Sequence, residues 1–173
     1  MNNFEFCNPT KLIFGRGQIE RLKDELPKGK RILITFGGGS VKANGVYEQV
    51  VAAMKGFDYE EFWGIEPNPK VETLRKAVEV CKRDNIGFLL SVGGGSVLDG
   101  TKLIAAAAVS THDAWELVTD NSLVRGTLPF ASIMTLPATG SEMNRGAVIS
   151  NLATGEKYAF YNTYPVFSIL DPE

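Results

Sequence analysis

The feature that most constrains this chain is a pentapeptide, GGGSV, that occurs twice, starting at Gly37 and at Gly93. Each copy follows a short apolar run, RILITF over residues 31–36 and IGFLLSV over residues 86–92. Short apolar runs that stop at glycine are typical of buried strands entering a turn. A helix is expected after each turn, so the repeat predicts an α/β domain built on parallel strands.

The segments between and after the two turns continue this alternation. Residues 46–54 and 71–81 carry apolar side chains at helical spacing, whereas residues 57–63 and 130–135 have strand character. Alternation from about residue 30 to 135 predicts a doubly wound, mainly parallel, Rossmann-like sheet with right-handed crossovers.

The last part of the chain has a different pattern. Residues 147–150 and 158–161 flank a Thr154-Gly155 turn and predict a C-terminal antiparallel β-hairpin. The chain then stops just after the apolar run 166–170, whose sheet partners and cover we expect to come from outside the chain. We therefore interpret residues 1–173 as one domain, a fragment or split half of a larger protein.

Composition narrows the class of partner. The 173 residues carry a formal net charge of −2 with acidic and basic residues interspersed, which predicts no nucleic-acid face and favours a small-molecule ligand. The longest apolar run, residues 103–109, is far too short to span a bilayer. Cys7 and Cys81 lie in no metal or disulfide pattern and indicate a reducing, cytoplasmic location.

The second glycine turn, residues 93–96, has the features of an anion site. Glycines let the backbone approach a phosphate, and the first N–H groups of the following helix favour negative charge. Simpler interpretations stay open: glycines make tight turns in any α/β protein, and Ser96 and Asp99 have capping-box spacing. The spacing differs from GxGxxG, so the common dinucleotide fingerprint is absent.

A further loop, TLPATGSE at residues 135–142, carries hydroxyls on a glycine hinge. Combined with GGGSVLDGTK at residues 93–102, it resembles the iron-dependent alcohol dehydrogenases, in the branch of NADPH-dependent aldehyde reductases and butanol dehydrogenases. The resemblance covers the whole chain. The other segments that support the resemblance are PTKLIFGRG at residues 9–17, GGGSVK at 37–42, EPNP at 66–69 and FSILDP at 167–172.

The resemblance implies a two-domain, homodimeric enzyme that moves hydride between NADPH and an aldehyde or primary alcohol. An N-terminal α/β domain holds NAD(P), and a helical domain supplies an aspartate and three histidines to a divalent metal, iron or zinc. We expect only the first domain here, so that this chain binds cofactor without turnover. His112 is the sole histidine, and a lone histidine predicts no metal site.

Carried over position by position, the resemblance implies three groups of cofactor contacts and no catalytic residue in this chain. The pyrophosphate is held by Gly94, Gly95 and Ser96, and Asp99 lies by the nicotinamide end. Thr135 and Thr139 touch the phosphate, ribose or adenine. Further contacts, with no part of the cofactor assigned to them, are Asn68, Asn144 and Lys157. For Lys157, a solvated hairpin turn is an equal alternative.

The first glycine turn bears on cofactor choice. Dehydrogenases that use NAD commonly place an acid beside the adenosine ribose, where it repels a 2′-phosphate. The corresponding stretch here, Gly37-Gly38-Gly39-Ser40, is followed by Lys42, and no acid occurs before Glu48. Ser40 can donate a hydrogen bond and Lys42 attracts negative charge, so we predict NADP(H) rather than NAD(H).

Two other functions are consistent with parts of the sequence. A glycine-rich kinase also uses such turns, but the chain lacks the GxxxxGK[ST] phosphate loop. A free-standing dinucleotide-binding or interaction module without catalysis is the second.

In the N-terminal stretch NFEFC, Phe4 and Phe6 alternate and predict an extended segment, which in the resembling family pairs across a homodimer.

Overall fold

The computed structural model describes residues 3–172, which form a six-stranded parallel sheet with helices on both faces and a separate two-stranded hairpin. The strands are β1 (Lys11–Phe14), β2 (Ile32–Phe36), β3 (Tyr59–Phe62), β4 (Phe88–Gly94), β5 (Phe130–Leu136), β6 (Gly146–Ser150), β7 (Lys157–Tyr161) and β8 (Phe167–Leu170). The helices are α1 (Leu22–Glu25), α2 (Ser40–Ala43), α3 (Val46–Ala53), α4 (Val71–Arg83), α5 (Gly95–Ala107) and α6 (Ala114–Thr119). Short 3₁₀ turns cover Gln18–Arg21, Asn121–Leu123 and Ser141–Met143.

The strand order of the main sheet is β1-β8-β5-β4-β2-β3, and every neighbouring pair is parallel. The chain passes from β2 outward to the edge strand β3 and then returns to place β4 on the other side of β2. The order therefore reverses between β2 and β4. The loops that follow the two strands at such a reversal run in opposite directions, so a crevice opens between the loops. Ligands of open α/β sheets bind in this crevice.

Both faces of the sheet are covered, so its central strands are apolar throughout. All five residues of β2 are buried, as expected for a parallel strand with helices on both sides. Leu33, Leu89 and Phe130 pack with α4, α5 and α6 in one cluster. Ile32, Ile34 and their neighbours pack with α1 and α3 in the other.

The predicted order of elements is confirmed, including the antiparallel pairing of β6 with β7. The expectation for the last strand is wrong, because β8 finds both sheet partners inside this chain. Residues Lys11–Phe14 pair with Phe167–Leu170 on one side, and Ser132 and Ile133 pair with β8 on the other. β1 was not predicted, since a four-residue edge strand has too few residues to show a periodic pattern.

The N-terminal segment precedes the sheet, as expected, and forms no strand in the described part of a single chain. Residues 3–9 have no regular secondary structure, and the side chains of Phe4 and Phe6 are 85% and 79% exposed. Met1 and Asn2, the start of this segment, lie outside the described residues. Within residues 3–172, no helix has both the length and the apolar character needed to cross a membrane.

Candidate functional site

Three loops leave the carboxyl ends of β2, β4 and β5 and meet at the reversal in strand order. The first two contain the repeated glycines, and the side chain of Val97 lies between them. A Cβ atom at Gly37 would lie 3.3 Å from Val97 Cγ2, and one at Gly93 would lie 2.7 Å from the same atom. Packing against Val97 therefore accounts for the glycines at positions 37 and 93 without a ligand.

Gly94 has no such packing reason. Its backbone is extended, with φ −82° and ψ −177°, and a Cβ atom there would meet only Leu136 Cβ, at 3.9 Å. Gly95 differs, because a Cβ atom would lie 2.9 Å from Thr139 Oγ1. The loop after β5 therefore rests on the first residue of α5, while the space beside Gly94 is left open.

Helix α5 begins at Gly95, and among the described residues no side chain caps its N-terminus. The capping-box interpretation of Ser96 and Asp99 is therefore wrong: Ser96 lies inside the helix and is not its N-cap. Both oxygens of Asp99 accept hydrogen bonds from outside the helix, from Ser141 Oγ at 2.7 Å and from the Val148 N–H at 3.0 Å. The uncapped N–H groups at the start of α5 can hold an anion.

Two other predicted contact residues converge on the start of α5. The backbone N–H of Asn68 donates to Ser96 Oγ at 3.3 Å, and Lys157 Nζ donates to Asn68 Oδ1 at 2.8 Å. Asn68 has a φ of 54°, a left-handed conformation that asparagine tolerates better than most residues. The hairpin lysine thus places its charge beside the second glycine turn, although its side chain is exposed.

Sequence analysis missed the residue that organises this region, Lys102, whose side chain is completely buried in α5. Its ammonium group donates to the Ser141 carbonyl and hydroxyl oxygens, both at 2.8 Å, and to the Gly146 carbonyl oxygen at 2.6 Å. It also lies 3.1 Å from Asn144 Oδ1. The available signal was a lone lysine within the apolar stretch of α5, a position where a charge needs partners.

Burial lowers the pKa of the Lys102 ammonium to about 8, while the nearby carboxylates of Asp99 and Glu142 act in the opposite direction. The hydrogen-bonded oxygens also favour the charged form. At neutral pH the group is therefore a cation in the protein interior. Through Ser141, which donates to Asp99, this cation is connected to the carboxylate at the surface of the site.

Asn144 braces the loop that it belongs to. Its Oδ1 accepts from the Gly146 N–H at 2.9 Å as well as from Lys102, and its Nδ2 donates to the Gly140 carbonyl oxygen at 2.8 Å. Gly140 has a φ of +70° and is the hinge of the loop. The predicted contact residue Asn144 is thus held mainly by the protein itself.

The structure places the two predicted threonines in different pockets. A pocket of about 380 Å³ is lined by Thr139 together with Asp99 and Tyr161. A second pocket of about 340 Å³ is lined by Thr135 together with Asn44 and Val46. Thr135 lies within β5, whereas Thr139 lies on the loop that follows it.

At the first turn, the open positions are Gly38 and Gly39, where a Cβ atom would meet nothing within 4 Å. The N–H of Lys42 donates to the Gly39 carbonyl oxygen at 3.0 Å. The Lys42 ammonium lies 4.2 Å from the Trp63 ring centroid and 5.1 Å from that of Tyr47, within cation–π range. The lysine predicted to attract a 2′-phosphate is therefore bonded to the turn by its backbone, and its ammonium lies over the two aromatic rings.

An aromatic and acidic group completes this corner of the site. Phe36 and Trp63 stack with their centroids 4.1 Å apart, and Glu61 accepts hydrogen bonds from Trp63 Nε1 at 2.8 Å and from the Tyr47 hydroxyl at 3.0 Å. That hydrogen bond raises the pKa of the Tyr47 hydroxyl. The sequence pattern does not reveal this group, because its members come from β2, α3 and the end of β3, which are separate in the sequence.

The described residues do not fit the metal that the resemblance implies. Within residues 3–172 there is no group of three or more histidine, cysteine, aspartate or glutamate side chains that could hold a metal ion. His112 lies on the surface, with Nδ1 3.6 Å from Glu116 Oε2.

Comparison with known proteins agrees with this architecture. The family model of iron-containing alcohol dehydrogenases matches residues 9–172. The NADPH-dependent aldehyde reductase YqhD of Escherichia coli is 51% identical over 99% of this chain, and its crystal structure superposes with a TM-score of 0.94. The NADH-dependent butanol dehydrogenase A of Clostridium acetobutylicum is 44% identical over 99% of this chain.

A solved structure named NADH-dependent butanol dehydrogenase A, from Thermotoga maritima, is 43% identical and superposes with a TM-score of 0.94. This chain covers 46% of the length of the E. coli and Clostridium relatives and 45% of the Thermotoga chain. It therefore spans about half the length of the curated relatives that it matches. Their names include both NADH and NADPH.

Replacing Lys102 with Met should lower the free energy of unfolding by about 3–5 kcal/mol, because the oxygens of Ser141 and Gly146 lose their buried charged partner. The measurement is urea unfolding of both proteins, with Lys76→Met, an exposed lysine of α4, as the matched control. The control should change stability by less than about 0.5 kcal/mol.

The stability difference should also depend on pH. The folded pKa of Lys102, about 8, lies below its ordinary value of 10.5, so between these values the unfolded chain binds more protons. Stability contributed by this group then rises with pH, and the gap between wild type and Lys102→Met should widen between about pH 7 and about pH 9.5. A gap that narrows would show that burial does not lower this pKa.

Proposed function

We propose that this chain, which belongs to the iron-containing alcohol dehydrogenase family, is the part of an oxidoreductase that binds NADP(H) in the crevice between β2 and β4. The observation that carries the proposal is the meeting of three glycine- and hydroxyl-bearing loops at the reversal in strand order. The substrates of the whole protein are small aldehydes or primary alcohols, as the names of the relatives suggest.

The pyrophosphate lies against Gly94, Gly95 and Ser96 in this proposal. The open space beside Gly94 and the uncapped start of α5 support it, because a phosphate needs close backbone approach and free N–H groups. Asn68 and Lys157 border the same place, and the lysine adds a positive charge.

The remaining contacts divide between the two ends of the cofactor. Asp99 and Thr139 line the 380 Å³ pocket, which we assign to the nicotinamide end, with Asn144 bracing its wall. Thr135 faces the 340 Å³ pocket beside Asn44, close behind the first glycine turn, and we assign that side to the adenosine half.

Bound NADPH supplies the hydride that reduces a carbonyl carbon. The residues of this chain bind and orient the cofactor. The metal ligands that the resemblance implies are not among residues 3–172, so we propose that this chain alone binds cofactor without turnover.

We also propose a cytoplasmic location. Cys7 and Cys81 are both free thiols, and Cys81 is buried. Burial raises the pKa of the Cys81 thiol to about 12, which keeps it protonated and unreactive. Unpaired cysteines of this kind are typical of a reducing compartment.

Replacing Gly94 with Val should abolish NADPH binding while the chain stays folded. The protein itself has room for a side chain at this position, but that side chain would fill the space that the pyrophosphate needs. Calorimetric titration with millimolar NADPH measures the loss. The matched control is Gly126→Val, where a Cβ atom would meet nothing within 4 Å and φ is not positive, and this variant should bind NADPH as wild type does. Unchanged affinity in Gly94→Val would mean that the phosphate lies elsewhere.

We propose NADP(H) rather than NAD(H) because Lys42 is held beside the first turn, and because the carboxylate of Glu61 in the same aromatic group is hydrogen-bonded to Trp63 and Tyr47. Replacing Gly39 with Asp should weaken NADPH at least about fivefold and spare NADH, since two charges about 4 Å apart repel by about 1 kcal/mol even in water. Titration with both cofactors measures this selectivity.

The control for that substitution is Gly39→Asn. Gly39 has a φ of +106°, so any side chain there is strained, and Asn carries the same strain as Asp without the charge. The Gly39→Asp protein should therefore bind NADPH more weakly than the Gly39→Asn protein. If the two variants bind NADPH equally, some other residue recognises the 2′ position.

We further propose a homodimer formed through the N-terminal segment. Phe4 and Phe6 expose most of their apolar surface, and an extended segment can add to a partner's sheet edge through its free N–H and C=O groups. Deleting residues 1–7 should convert a dimer to a monomer in light scattering. A full chain that is monomeric at high concentration would contradict the proposal.

A further inference from the structure

The fold brings several cationic side chains together at the amino-terminal ends of the strands, on the side of the sheet opposite to the cofactor loops. An open pocket of about 560 Å³ is lined there by five cationic side chains and one acidic one: Lys23, Lys28, Lys30, Arg31, Lys55 and Asp58. The chain as a whole has a net charge of −2, so this concentration is local. Sequence analysis did not detect it, because the cations come from α1, the segment before β2 and the turn after α3.

Two of the five cations are already paired. Lys23 Nζ lies 2.9 Å from Glu20 Oε1, and Arg31 is hydrogen-bonded to Glu60 with Asp58 3.6 Å from its Nε. For Lys28, Lys30 and Lys55, no ion pair is found within residues 3–172. Against the five cations stand Glu20, Glu60 and Asp58, so the pocket carries an excess of about two positive charges.

The shape of the pocket leaves these charges room for a ligand. Gly29 and Gly56 line it with left-handed φ values of +78° and +92°, and a Cβ atom on either would meet nothing within 4 Å. The stem of Lys30 packs on Gly87, where a Cβ atom would be 3.3 Å from Lys30 Cδ, which limits how far this lysine can swing away. The volume lies within the range of small-molecule sites.

Like charges held around one concave surface repel each other, and a bound anion removes that cost. Several closely spaced phosphate groups would match several lysines, which bind phosphate as point charges. We propose that this basic pocket binds a small ligand bearing two or more phosphate groups. The site is separate from the proposed cofactor crevice. The pocket lies at one end of β2 and the crevice at the other, and a strand of five residues is roughly 17 Å long.

The probe for this site is inorganic tripolyphosphate, added to the isotope-labelled full chain and followed by amide chemical shifts. The amides of Gly29 and of residues 55–58 should shift, and the effect should weaken with added salt. Replacing Lys28 and Lys55 together with Gln should weaken binding there by roughly 25-fold, about fivefold for each charge. NADPH binding should be unchanged in this double variant.

The matched control removes two positive charges elsewhere, with Lys76→Gln and Arg125→Gln, and should leave the tripolyphosphate affinity of the pocket unchanged. Gly94→Val should abolish shifts at the start of α5 but not those at Gly29, which separates this inference from the proposed function. No shift at Gly29 and Gly56, or equal weakening in the control, would overturn the proposal. So would binding of a single-stranded oligonucleotide by this pocket without binding of tripolyphosphate.

Discussion

The ammonium group of Lys102 is the interaction on which the candidate site depends. A buried charge is costly unless oxygens surround it, and here the oxygens come from the 3₁₀ turn Ser141–Met143, from Asn144 and from the start of β6. One side chain of α5 thereby fixes the loop after β5 and the first strand of the hairpin. Thr139 then rests on Gly95, and Asp99 is hydrogen-bonded to both fixed segments.

The repeated GGGSV motif does not form two equivalent turns. After β4, the glycines lead into the 13-residue helix α5, whose N-terminus is uncapped. After β2, they lead into the four-residue helix α2, which ends before Gly45, and the charge near that turn comes from Lys42. The same five residues therefore precede an uncapped helix N-terminus in one place and a side-chain cation in the other.

The sequence was sufficient for the order of strands and helices from β2 to β5 and for the hairpin, because hydrophobic period and glycine turns are local signals. The family resemblance selected Asn68, Ser96 and Lys157, and the fold places Asn68 in contact with both of the others. The sequence could not reveal what Asp99 contacts, since its partners are more than forty residues away. Nor could it reveal the stacking of Phe36 on Trp63, because that contact depends on parallel strands being adjacent.

The pairing of β1 with β8 has a consequence for how the chain folds during synthesis. Lys11 is aligned with Phe167, so the first strand has no sheet partner until almost all of the described chain has been made. Until then β5 is an open sheet edge, and the KLIF segment is an unpaired apolar strand. Closing so long a loop is slow, and a nascent chain released before β8 forms would present two complementary edges to its neighbours. β8 thus pairs with the β5 edge and with the KLIF segment at the same time, late in synthesis.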